Sequence, residues 1–450
     1  MREGNLEAPT RHPYAWQDPD FTDAAKLDAE LRRVFDICHG CRRCFNLCDS
    51  FPRLFDLVDA AGDDEVAGVK SADFKAVADA CTLCDMCFLT KCPYVPPHPF
   101  NIDVPHLMVR YRAAELAAGK VGVIDRRLTE TDRNGRLAGP VAALANWATR
   151  RGNKPIRWLL ELIAGIHRDA ELPRYAARSL QRQAKTAMPE RDPSAPAHGR
   201  KAAVFATCFA NYNNPEIGMA ALQVLAKNGV ETKLVYPGCC GMPQLEHGDL
   251  ERLAGMAAKT AAALAPLIDA GYDVVAPVPS CALMMKFEWP LILPDEPLVA
   301  KLARACFDIS EYVVDIARKE GLAPGLTPIE GGITLHLACH ARAQNMGAMG
   351  AEMLRRIPSA KVMVVERCSG HGGSLGIKKD FFATALKIGR PAMTQIVKNQ
   401  SEHLCSECPL AGAHLVQGIE AMDIVRKPTE SLHPIQLVAH AYGFVPGEKK

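Results

Sequence analysis

The sequence lacks several features that would assign it to a common functional class. None of its 450 residues lies in an uninterrupted apolar stretch of about 20, the length a membrane-spanning helix needs. Residues 1–20 are polar, so we expect no secretory signal. The formal net charge of +2 gives no reason to expect a nucleic-acid partner. Walker, G-x-S-x-G and H-E-x-x-H motifs are also absent. These absences favour a cytoplasmic protein whose chemistry depends on other residues.

Cysteine, by contrast, is abundant. The chain has 17 cysteines, many in C-x2-C groups, which indicates metal ligands rather than a disulfide framework. The densest region holds two near-copies of one ligand run, Cys38-His-Gly-Cys41-Arg-Arg-Cys44-Phe-Asn-Leu-Cys48 and Cys81-Thr-Leu-Cys84-Asp-Met-Cys87-Phe-Leu-Thr-Lys-Cys92-Pro93. Three thiolates at three-residue intervals can occupy three corners of one [4Fe–4S] cluster. The two runs therefore predict two such clusters.

The fourth ligand of each predicted cluster comes from the other run, because that is the arrangement in two-cluster ferredoxins. The predicted sets are Cys38, Cys41, Cys44 and Cys92 for one cluster, and Cys81, Cys84, Cys87 and Cys48 for the other. A pair of zinc sites is the alternative, but it would leave the third cysteine of each run unused. Two departures from the ferredoxin pattern affect the fourth ligands: Asp49 replaces proline after Cys48, and four residues rather than three precede Cys92.

The pattern of the chain changes after a proline-containing linker. Short β-branched strands then alternate with helices, and this alternation occurs twice, which predicts two α/β units. We therefore predict an α+β multidomain fold. Its parts are a helical ferredoxin-type domain at 1–110, a basic helical connector at 111–185, a linker at 186–200, α/β units at 201–297 and 332–450, and a connecting helix within 298–331. We expect that connecting helix to cover Leu298–Lys319 and to bury Cys306 as an ordinary thiol.

The connector contains a basic amphipathic segment. Residues 110–185 hold 16 Lys and Arg against 7 Asp and Glu. Within them, Trp158-Leu-Leu-Glu-Leu-Ile163 follows Arg150, Arg151, Lys154 and Arg157. Such a helix can lie on an anionic membrane surface. It can also pack on its own domain and leave a solvated basic face, and we favour this second interpretation because it is the commoner one.

A second cysteine system follows the predicted strands. Its members are Cys208, Cys239, Cys240 and Cys281 in the first α/β unit, and Cys339, Cys368, Cys405 and Cys408 in the second. Sites in open α/β sheets gather beyond the carboxyl ends of strands. We therefore expect each set to converge on one metal centre.

The spacing of these cysteines resembles the cysteine-rich CCG repeat. That repeat occurs in heterodisulfide reductase catalytic subunits and in iron–sulfur subunits of anaerobic glycerol-3-phosphate, glycolate and lactate dehydrogenases. A ferredoxin module followed by two such units is most similar to the group formed by the C-subunit of anaerobic glycerol-3-phosphate dehydrogenase and the D-subunit of heterodisulfide reductase.

The resemblance implies a metal centre in each unit, but both repeats depart from the full pattern. A complete repeat in the heterodisulfide reductases uses five cysteines for a non-cubane [4Fe–4S] cluster. Here Val278 stands where the C-x2-C pair begins in the first unit, and Ser369 replaces a cysteine in the second. The four thiols left in each unit could hold a cubane cluster or a zinc ion. We therefore expect one or two further [4Fe–4S] clusters or zinc, and electron transfer rather than heterodisulfide cleavage.

Four histidines lie near these thiols and could replace a ligand or donate a proton: His336, His340, His371 and His403. Of these, His340 and His371 are the better candidates because they lie at strand ends. The segment from Gly370 to Gly376 resembles a dinucleotide fingerprint, but Leu375 stands where the strict motif needs glycine. We therefore assign no nicotinamide or flavin site and no catalytic residue.

These observations predict an iron–sulfur subunit of an oxidoreductase. We expect it to relay electrons between a partner dehydrogenase or reductase and a quinone or thiol/disulfide acceptor, with the substrate chemistry in a flavin-containing partner. The alternatives are a self-contained enzyme like heterodisulfide reductase and a zinc-bound docking scaffold. We expect the protein in the cytoplasm, where it could also contact the inner face of the cell membrane peripherally.

Overall fold

The computed structural model describes residue 4 and residues 7–62, 65–424 and 427–444. These residues form two compact units. The first takes its residues from 1–129, 243–255 and 291–294, and the second from 130–242, 256–290 and 295–450. Throughout the described ranges, no helix is both long enough and apolar enough to cross a membrane.

Helices build the N-terminal part of the first unit: α1 (Ala24–Cys41), α2 (Ser50–Asp59), α3 (Phe74–Asp79), α4 (Val104–Ala117) and α5 (Val123–Leu128). Helix α1 begins where the Asp23 side chain accepts a hydrogen bond from the Lys26 amide at 2.8 Å. It buries Leu27, Leu31 and Val34, which share one helical face. The helix continues through Cys41, so the first two cysteines of the first ligand run lie in its last turn.

Several short turns of other helical types complete the description. Five are 3₁₀ turns, at Pro19–Phe21, Val66–Gly68, Ser71–Asp73, Gly139–Val141 and Leu375–Ile377. Two are π turns, at Cys87–Lys91 and Met284–Glu288.

The predicted connector is helical and forms α6 (Thr131–Ala138), α7 (Ala142–Thr149), α8 (Lys154–Ala164) and α9 (Leu180–Ala187). Helix α8 departs from the interpretation that we favoured, because its apolar face is not packed. Trp158 is 53% exposed, Leu162 67% and Ile163 58%. The buried residue is a cation instead: Arg157 donates hydrogen bonds to the carbonyl oxygens of Arg168 and His167 at 2.9 and 2.8 Å.

The first parallel sheet contains β1 (Lys201–Phe205), β2 (Glu231–Val235), β3 (Asp273–Ala276) and β4 (Cys306–Asp308), in the order β2-β1-β3-β4. Eight helices alternate with these strands along the chain: α10 (Cys208–Tyr212), α11 (Pro215–Lys227), α12 (Met242–Glu246), α13 (Leu250–Asp269), α14 (Pro279–Leu283), α15 (Trp289–Ile292), α16 (Pro297–Ala305) and α17 (Ile309–Lys319).

The prediction of one continuous helix over Leu298–Lys319 is wrong, because β4 separates α16 from α17. Cys306 pairs with Val274 in the sheet, and Asp308 then caps α17 by accepting a hydrogen bond from the Ser310 amide at 2.8 Å. Cys306 is therefore buried as expected, but in a strand rather than within a helix.

The second parallel sheet contains β5 (Ile333–His336), β6 (Val362–Val365) and β7 (His403–Ser406), in the order β6-β5-β7. Its helices are α18 (Cys339–Arg342), α19 (Met349–Leu354), α20 (Phe382–Asn399), α21 (Pro409–Glu420) and α22 (Pro434–Ala441). Both sheets contribute to one hydrophobic core, which includes Val204, Val275 and Leu335. The predicted α+β class is confirmed. We call the part of the second unit with β1–β4 its first half and the part with β5–β7 its second half.

Candidate metal centres

The eight N-terminal cysteines of the first unit form two groups. One contains Cys38, Cys41, Cys44 and Cys92, because the Cys38 thiol lies close enough to the other three to interact electrostatically. In the other, the Cys87 thiol interacts in the same way with Cys48, Cys81 and Cys84. Cys87 also interacts with Cys44, so the two groups adjoin. Each group therefore pairs three cysteines of one run with the last cysteine of the other, as the ferredoxin rule predicts.

Without a bound metal, burial favours the protonated form of several of these thiols, among them Cys38 and Cys44. Burial raises the pKa of Cys38 well above its ordinary value, and the neighbouring thiolates raise it further. The same two causes raise the pKa of Cys44 to about 12, although Lys91 and Arg43 oppose them. A bound metal deprotonates a coordinating thiol, so an iron–sulfur cluster would supply the positive charge that these sites need.

Both ligand runs turn at a residue in the left-handed region. Arg42 follows Cys41 with φ 49°, and Asp85 follows Cys84 with φ 62°. Non-glycine residues rarely adopt this conformation. The same conformation therefore recurs after the second cysteine of each run, although Cys38 and Cys41 lie in α1 whereas residues 81–85 are not helical.

The extra residue in the second run is absorbed by the π turn at Cys87–Lys91. The Cys92 amide donates to the Cys87 carbonyl oxygen, five residues earlier, at 2.8 Å. Thr90 supports the wide turn by donating its hydroxyl to the Met86 carbonyl oxygen at 2.7 Å. The departure in spacing is therefore accommodated within this turn.

Two arginines fix the second run from distant parts of the sequence. Arg11 bonds Asp85 at 2.7 Å and Asp103 at 2.9 Å, and its guanidinium lies 4.5 Å from the Phe88 ring centroid. Arg112 donates to the Ala78 carbonyl oxygen at 2.8 Å. Burial raises the pKa of Cys81, and the positive charge of Arg112 opposes part of that rise. No sequence signal indicated these residues, because neither belongs to a cysteine motif.

The first half of the second unit brings its four predicted cysteines together. The sulfurs of Cys208 and Cys239 are 3.7 Å apart. Cys240 forms thiol hydrogen bonds with both Cys239 and Cys281. Interactions with the Cys208 and Cys240 thiols hold the pKa of Cys239 well below its ordinary value. The same interactions raise the pKa of Cys208 and Cys240.

Helix α6 adds two residues to this site that sequence reasoning missed. The Thr131 side chain lies beside Cys208 and Cys239 and favours the thiolate form of both, although its buried hydroxyl has no hydrogen-bond partner among the described residues. The Asp132 carboxylate accepts the Cys239 amide at 2.9 Å and the Tyr236 hydroxyl. Burial raises the pKa of Asp132. Both residues precede Cys208 by more than 70 positions, so no spacing pattern could connect them with it.

The backbone is strained where the chain enters this site. Thr207, fully buried, has φ 55° and ψ 156°, a combination that is essentially restricted to glycine. Its hydroxyl compensates in part by capping α10, where it accepts from the Ala210 amide at 3.0 Å. The corresponding residue of the second half, Ala338, has an ordinary φ of −68°.

Sheet register shows which residues of the two halves correspond. Cys208 and Cys339 each follow the first strand of their sheet, four residues after Val204 and Leu335. Val204 pairs with Val275, and Leu335 pairs with Cys405. By this register, Cys405 corresponds to Val275, Cys408 to Val278 and Ala411 to Cys281. The match continues into helices α14 and α21, which begin at Pro279 and Pro409.

The predicted pair of Cys405 and Cys408 is therefore divided between a strand and a strand end. Cys405 is fully buried in the hydrophobic core. Cys408 lies at the strand end, where it caps α21. The second half thus has three cysteines at strand ends, Cys339, Cys368 and Cys408, where the first half has four.

Histidines occupy positions in the second half that hold methionine in the first. His414 corresponds to Met284 by sheet register, and His371 corresponds to Met242 when Cys368-Ser-Gly370 is aligned with Cys239-Cys-Gly241. Both histidines are buried, with ring centroids 5.8 Å apart, and neither His371 ring nitrogen has a hydrogen-bond partner among the described residues. Burial lowers the pKa of His371 to about 3. The preceding Gly370, with φ 80°, is so close to α20 that a Cβ there would overlap the Ala385 carbonyl oxygen.

The other predicted histidines have separate surroundings. His336 is buried, with Nδ1 2.9 Å from the Ser406 hydroxyl and Nε2 3.0 Å from the Arg367 carbonyl oxygen. His340 Nδ1 lies 2.8 Å from the Ser280 hydroxyl, beside Cys281. His403 bonds the Glu330 carbonyl oxygen at 3.1 Å. Only His371 of the four lies in the loop that carries Cys368.

No group of three or more His, Cys, Asp or Glu side chains in the described ranges could hold a single metal ion as it stands. The ligands of a cluster lie farther apart than those of one ion, because the iron and sulfide atoms lie between them. Each of the two groups in the first unit has the four thiols that a cubane cluster needs, and each exchanges its fourth cysteine with the other run, as in two-cluster ferredoxins. The first half of the second unit also has four thiols.

Comparisons with known proteins agree with this organisation. Residues 31–118 match the family described as citrate utilization protein B Fer4-like domain. Residues 202–286 and 333–415 each match the cysteine-rich CCG domain.

Relatives with similar sequences are distant. The C-subunit of anaerobic glycerol-3-phosphate dehydrogenase from Escherichia coli is 26% identical over 284 residues, which cover 62% of this chain and 69% of the relative. The B-subunit of fumarate reductase (CoM/CoB) from Methanothermobacter marburgensis is 27% identical over 49% of this chain and 43% of its own. Lactate utilization protein A of Bacillus pumilus is 26% identical over 40% of this chain and 75% of its own. The chain carries a Fer4-like domain followed by two CCG domains, and it resembles the iron–sulfur subunits of dehydrogenases and reductases.

Proposed function

We propose that this protein is an electron-transfer subunit with two [4Fe–4S] clusters in its first unit. The observation that carries the proposal is the exchange of the fourth cysteine between the two ligand runs, which brings Cys92 to Cys38 and Cys48 to the second run. Bound clusters would supply one-electron redox chemistry at these positions. The domain composition and the relatives support the same function.

The side chains of the first unit would set the properties of these centres. Cys87 is buried and the other seven ligand cysteines are partly buried, and burial is one determinant of cluster potential. Arg11 and Arg112 hold the second run by contacts to Asp85 and to backbone carbonyls.

We place a further metal centre in the first half of the second unit, on Cys208, Cys239, Cys240 and Cys281. Asp132 would hold the Cys239 amide, and Thr131 would lie beside the sulfurs. In the second half, the ligands at strand ends would be Cys339, Cys368 and Cys408. Three thiols leave one corner of a cubane cluster without cysteine, and His371 lies in the same loop as Cys368.

The partner in this proposal is a flavin-containing dehydrogenase or reductase in the cytoplasm, and the acceptor is a quinone or a thiol/disulfide. Two relatives are named as subunits of a dehydrogenase and of a reductase, which supports a role within a redox complex. A self-contained reductase is the second candidate. The specific observation that favours it is the incomplete thiol set of the second half, because an open corner could bind a substrate directly.

We also propose that α7 and α8 dock on an anionic membrane surface. Leu144 and Trp147 on α7, and Trp158, Leu162 and Ile163 on α8, are all about half exposed or more. A surface of this kind marks an interaction site. Arg150 and Arg151 lie between the two helices in sequence, and Lys154 is the first residue of α8. Indole rings beside cations are typical of helices that lie in a lipid interface.

Vesicle sedimentation tests the membrane contact. We expect binding to vesicles that contain phosphatidylglycerol, and loss of binding in the double variant Trp158→Ser, Leu162→Ser. Met188→Ser is the matched control, because Met188 is exposed but lies outside these helices. Equal sedimentation of all three proteins would exclude α8 as the contact.

Metal content tests the main proposal. We expect anaerobically purified protein to contain iron and acid-labile sulfide, with about eight irons from the first unit and about twelve or more if the second unit is loaded. The reduced protein should give the EPR spectrum of interacting clusters. Stoichiometric zinc without sulfide would exclude electron transfer and leave the docking scaffold. Disulfide reduction by the isolated chain with a reduced dye would favour the self-contained enzyme.

A further inference from the structure

Helix α20 presents a strongly basic outer face. Lys387, Arg390 and Lys398 are exposed on it, and together with Arg367 they line a groove of about 680 Å³. The opposite face is apolar and buries Phe382, Ala392 and other residues. No Asp or Glu occurs among the 18 residues of α20 or in the lining of the groove. The groove therefore carries four positive charges without an acidic residue in its wall.

These four charges are available to a partner. No carboxylate of the described residues forms an ion pair with any of them, whereas elsewhere in this unit Arg318 and Arg356 both pair with Glu352. The acid nearest to Arg367 in sequence is Glu366, and it is bound by Arg342 at 2.8 Å. The basic face is therefore not neutralised within the described part of the chain.

The spacing of the cations indicates the size of the partner. Lys387 and Lys398 are eleven residues apart, which corresponds to about 16 Å along a helix. A small anion needs donors that converge on one point, but these cations lie in a strip over three turns. A strip of this length complements the acidic surface of a protein.

Cys368, a candidate ligand of the metal centre in the second half, lies next to the groove in sequence. It directly follows Arg367, and it is the single exposed cysteine of the seventeen, all of which lie in the described ranges. A redox centre exchanges electrons with another protein most readily where its ligands approach the surface. The basic groove and the exposed residue Cys368 thus occur together in the second half.

We infer that the basic face of α20 is the docking surface for an acidic redox protein, which exchanges electrons with a centre held in part by Cys368. The inference rests on the proposed function of the second half. The transfer is a single-electron step: the reduced partner loses one electron, the centre gains it, and no bond or proton is exchanged. Charge attraction would accelerate the encounter and weaken as salt increases.

Stopped-flow reduction of the full chain tests this surface. The probe is a reduced plant-type ferredoxin, which is acidic, and dithionite is the small-molecule reductant for comparison. We expect the second-order rate constant with ferredoxin to fall as ionic strength rises. In the variant Lys387→Glu, Arg390→Glu, Lys398→Glu, it should fall roughly 10-fold or more at low salt, whereas the rate with dithionite, a small anion, should fall much less.

The control variant is Lys259→Glu, Arg304→Glu, which reverses two exposed cations outside the groove. At the same ionic strength it should lower the ferredoxin rate much less than the triple variant does, since the charges that it reverses lie outside the groove. Equal ferredoxin rates in all three proteins would overturn the docking surface, even with a full complement of iron. Protein without iron would instead overturn the proposed function itself. Binding of the triple variant to anionic vesicles should match that of the unmodified protein; a loss there would assign the face to lipid instead.

Discussion

The two halves of the second unit share one strand arrangement but differ in the side chains at the ends of the strands. In the first half β1 lies between β2 and β3, and in the second half β5 lies between β6 and β7. The first cysteine of each half, Cys208 or Cys339, comes shortly after this central strand, at equivalent positions. The first half gathers four thiols and supports them with Thr131 and Asp132. The second half has three strand-end thiols and buried histidines where the first has methionines. The comparison shows that one strand arrangement can carry different sets of candidate ligands, because residues at corresponding positions differ.

The largest effect that would sharpen this comparison is expected from Cys281→Ala. We expect this variant to lose the centre of the first half, about four irons for a cubane cluster, because it removes one of four converging thiols. Iron and sulfide analysis would measure the loss. Cys306→Ala is the control, since Cys306 is also buried in this half but lies in β4. Iron content that is the same in both variants would contradict the assignment of a centre to these thiols.

Gly135→Ala tests the support that only the first half receives. A Cβ at Gly135 would overlap the Tyr212 ring, so α6 would have to shift together with Thr131 and Asp132. We expect a loss of about 1–3 kcal/mol in the free energy of unfolding, measured by denaturant titration, and an altered EPR signal from the first half. Gly255→Ala is the matched control, because a Cβ there meets no neighbour within 4 Å. An unchanged stability and spectrum would show that α6 does not support the site.

Acidification should weaken the second half before the first through its buried histidines, an effect that the buried Glu407 of the same half opposes, because its raised pKa of about 8 favours folding as pH falls. Burial lowers the pKa of His336 to about 4 and that of His433 to about 3. Because these values lie below the ordinary value of about 6.5, the unfolded chain takes up the protons first as pH falls. Their stabilising contribution is complete above about pH 6.5 and decreases toward about pH 4, on the order of 1 kcal/mol each by about pH 5.5.

Hydrogen exchange measured at pH 7 and pH 5.5 checks this expectation. Amides of β5 and β7 should lose protection, corrected for the intrinsic rate, while those of β1 keep theirs, since residues 201–297 contain no buried histidine. His336→Gln should reduce the difference, because a neutral amide binds no proton in this range. Equal changes in both halves would argue against buried histidine as the cause.

The smallest effect is expected from Cys405→Val. Register places Cys405 opposite Leu335, at the position of Val275, so valine should fit the core at a cost below about 1.5 kcal/mol. Metal content should not change. Cys408→Ala, three residues away, should reduce it. Loss of metal in the Cys405 variant would restore Cys405 to the ligand set.

The sequence predicted the features that depend on local spacing. The two ligand runs, the helical first unit and the repeated strand–helix alternation all have signals within a few residues. Spacing alone misjudged the C-x2-C pair, because counting from Cys405 to Cys408 cannot show that β7 continues through Ser406. The helix predicted over Leu298–Lys319 was interrupted for a similar reason: the three residues of β4 form a strand only because β3 lies beside them. Asp132 could not be found at all, since its contact with Cys239 joins residues 107 positions apart.

The π turn at Cys87–Lys91 has a consequence for insertions and deletions. The second run has one residue more than the first between its third and fourth cysteines, and the turn takes up that residue by changing a hydrogen-bond partner. The number of residues between ligands can therefore differ by one without a change in which thiols meet. Related chains with either spacing could keep the same ligand set, so strict residue counting would underestimate how many proteins carry this pair of runs.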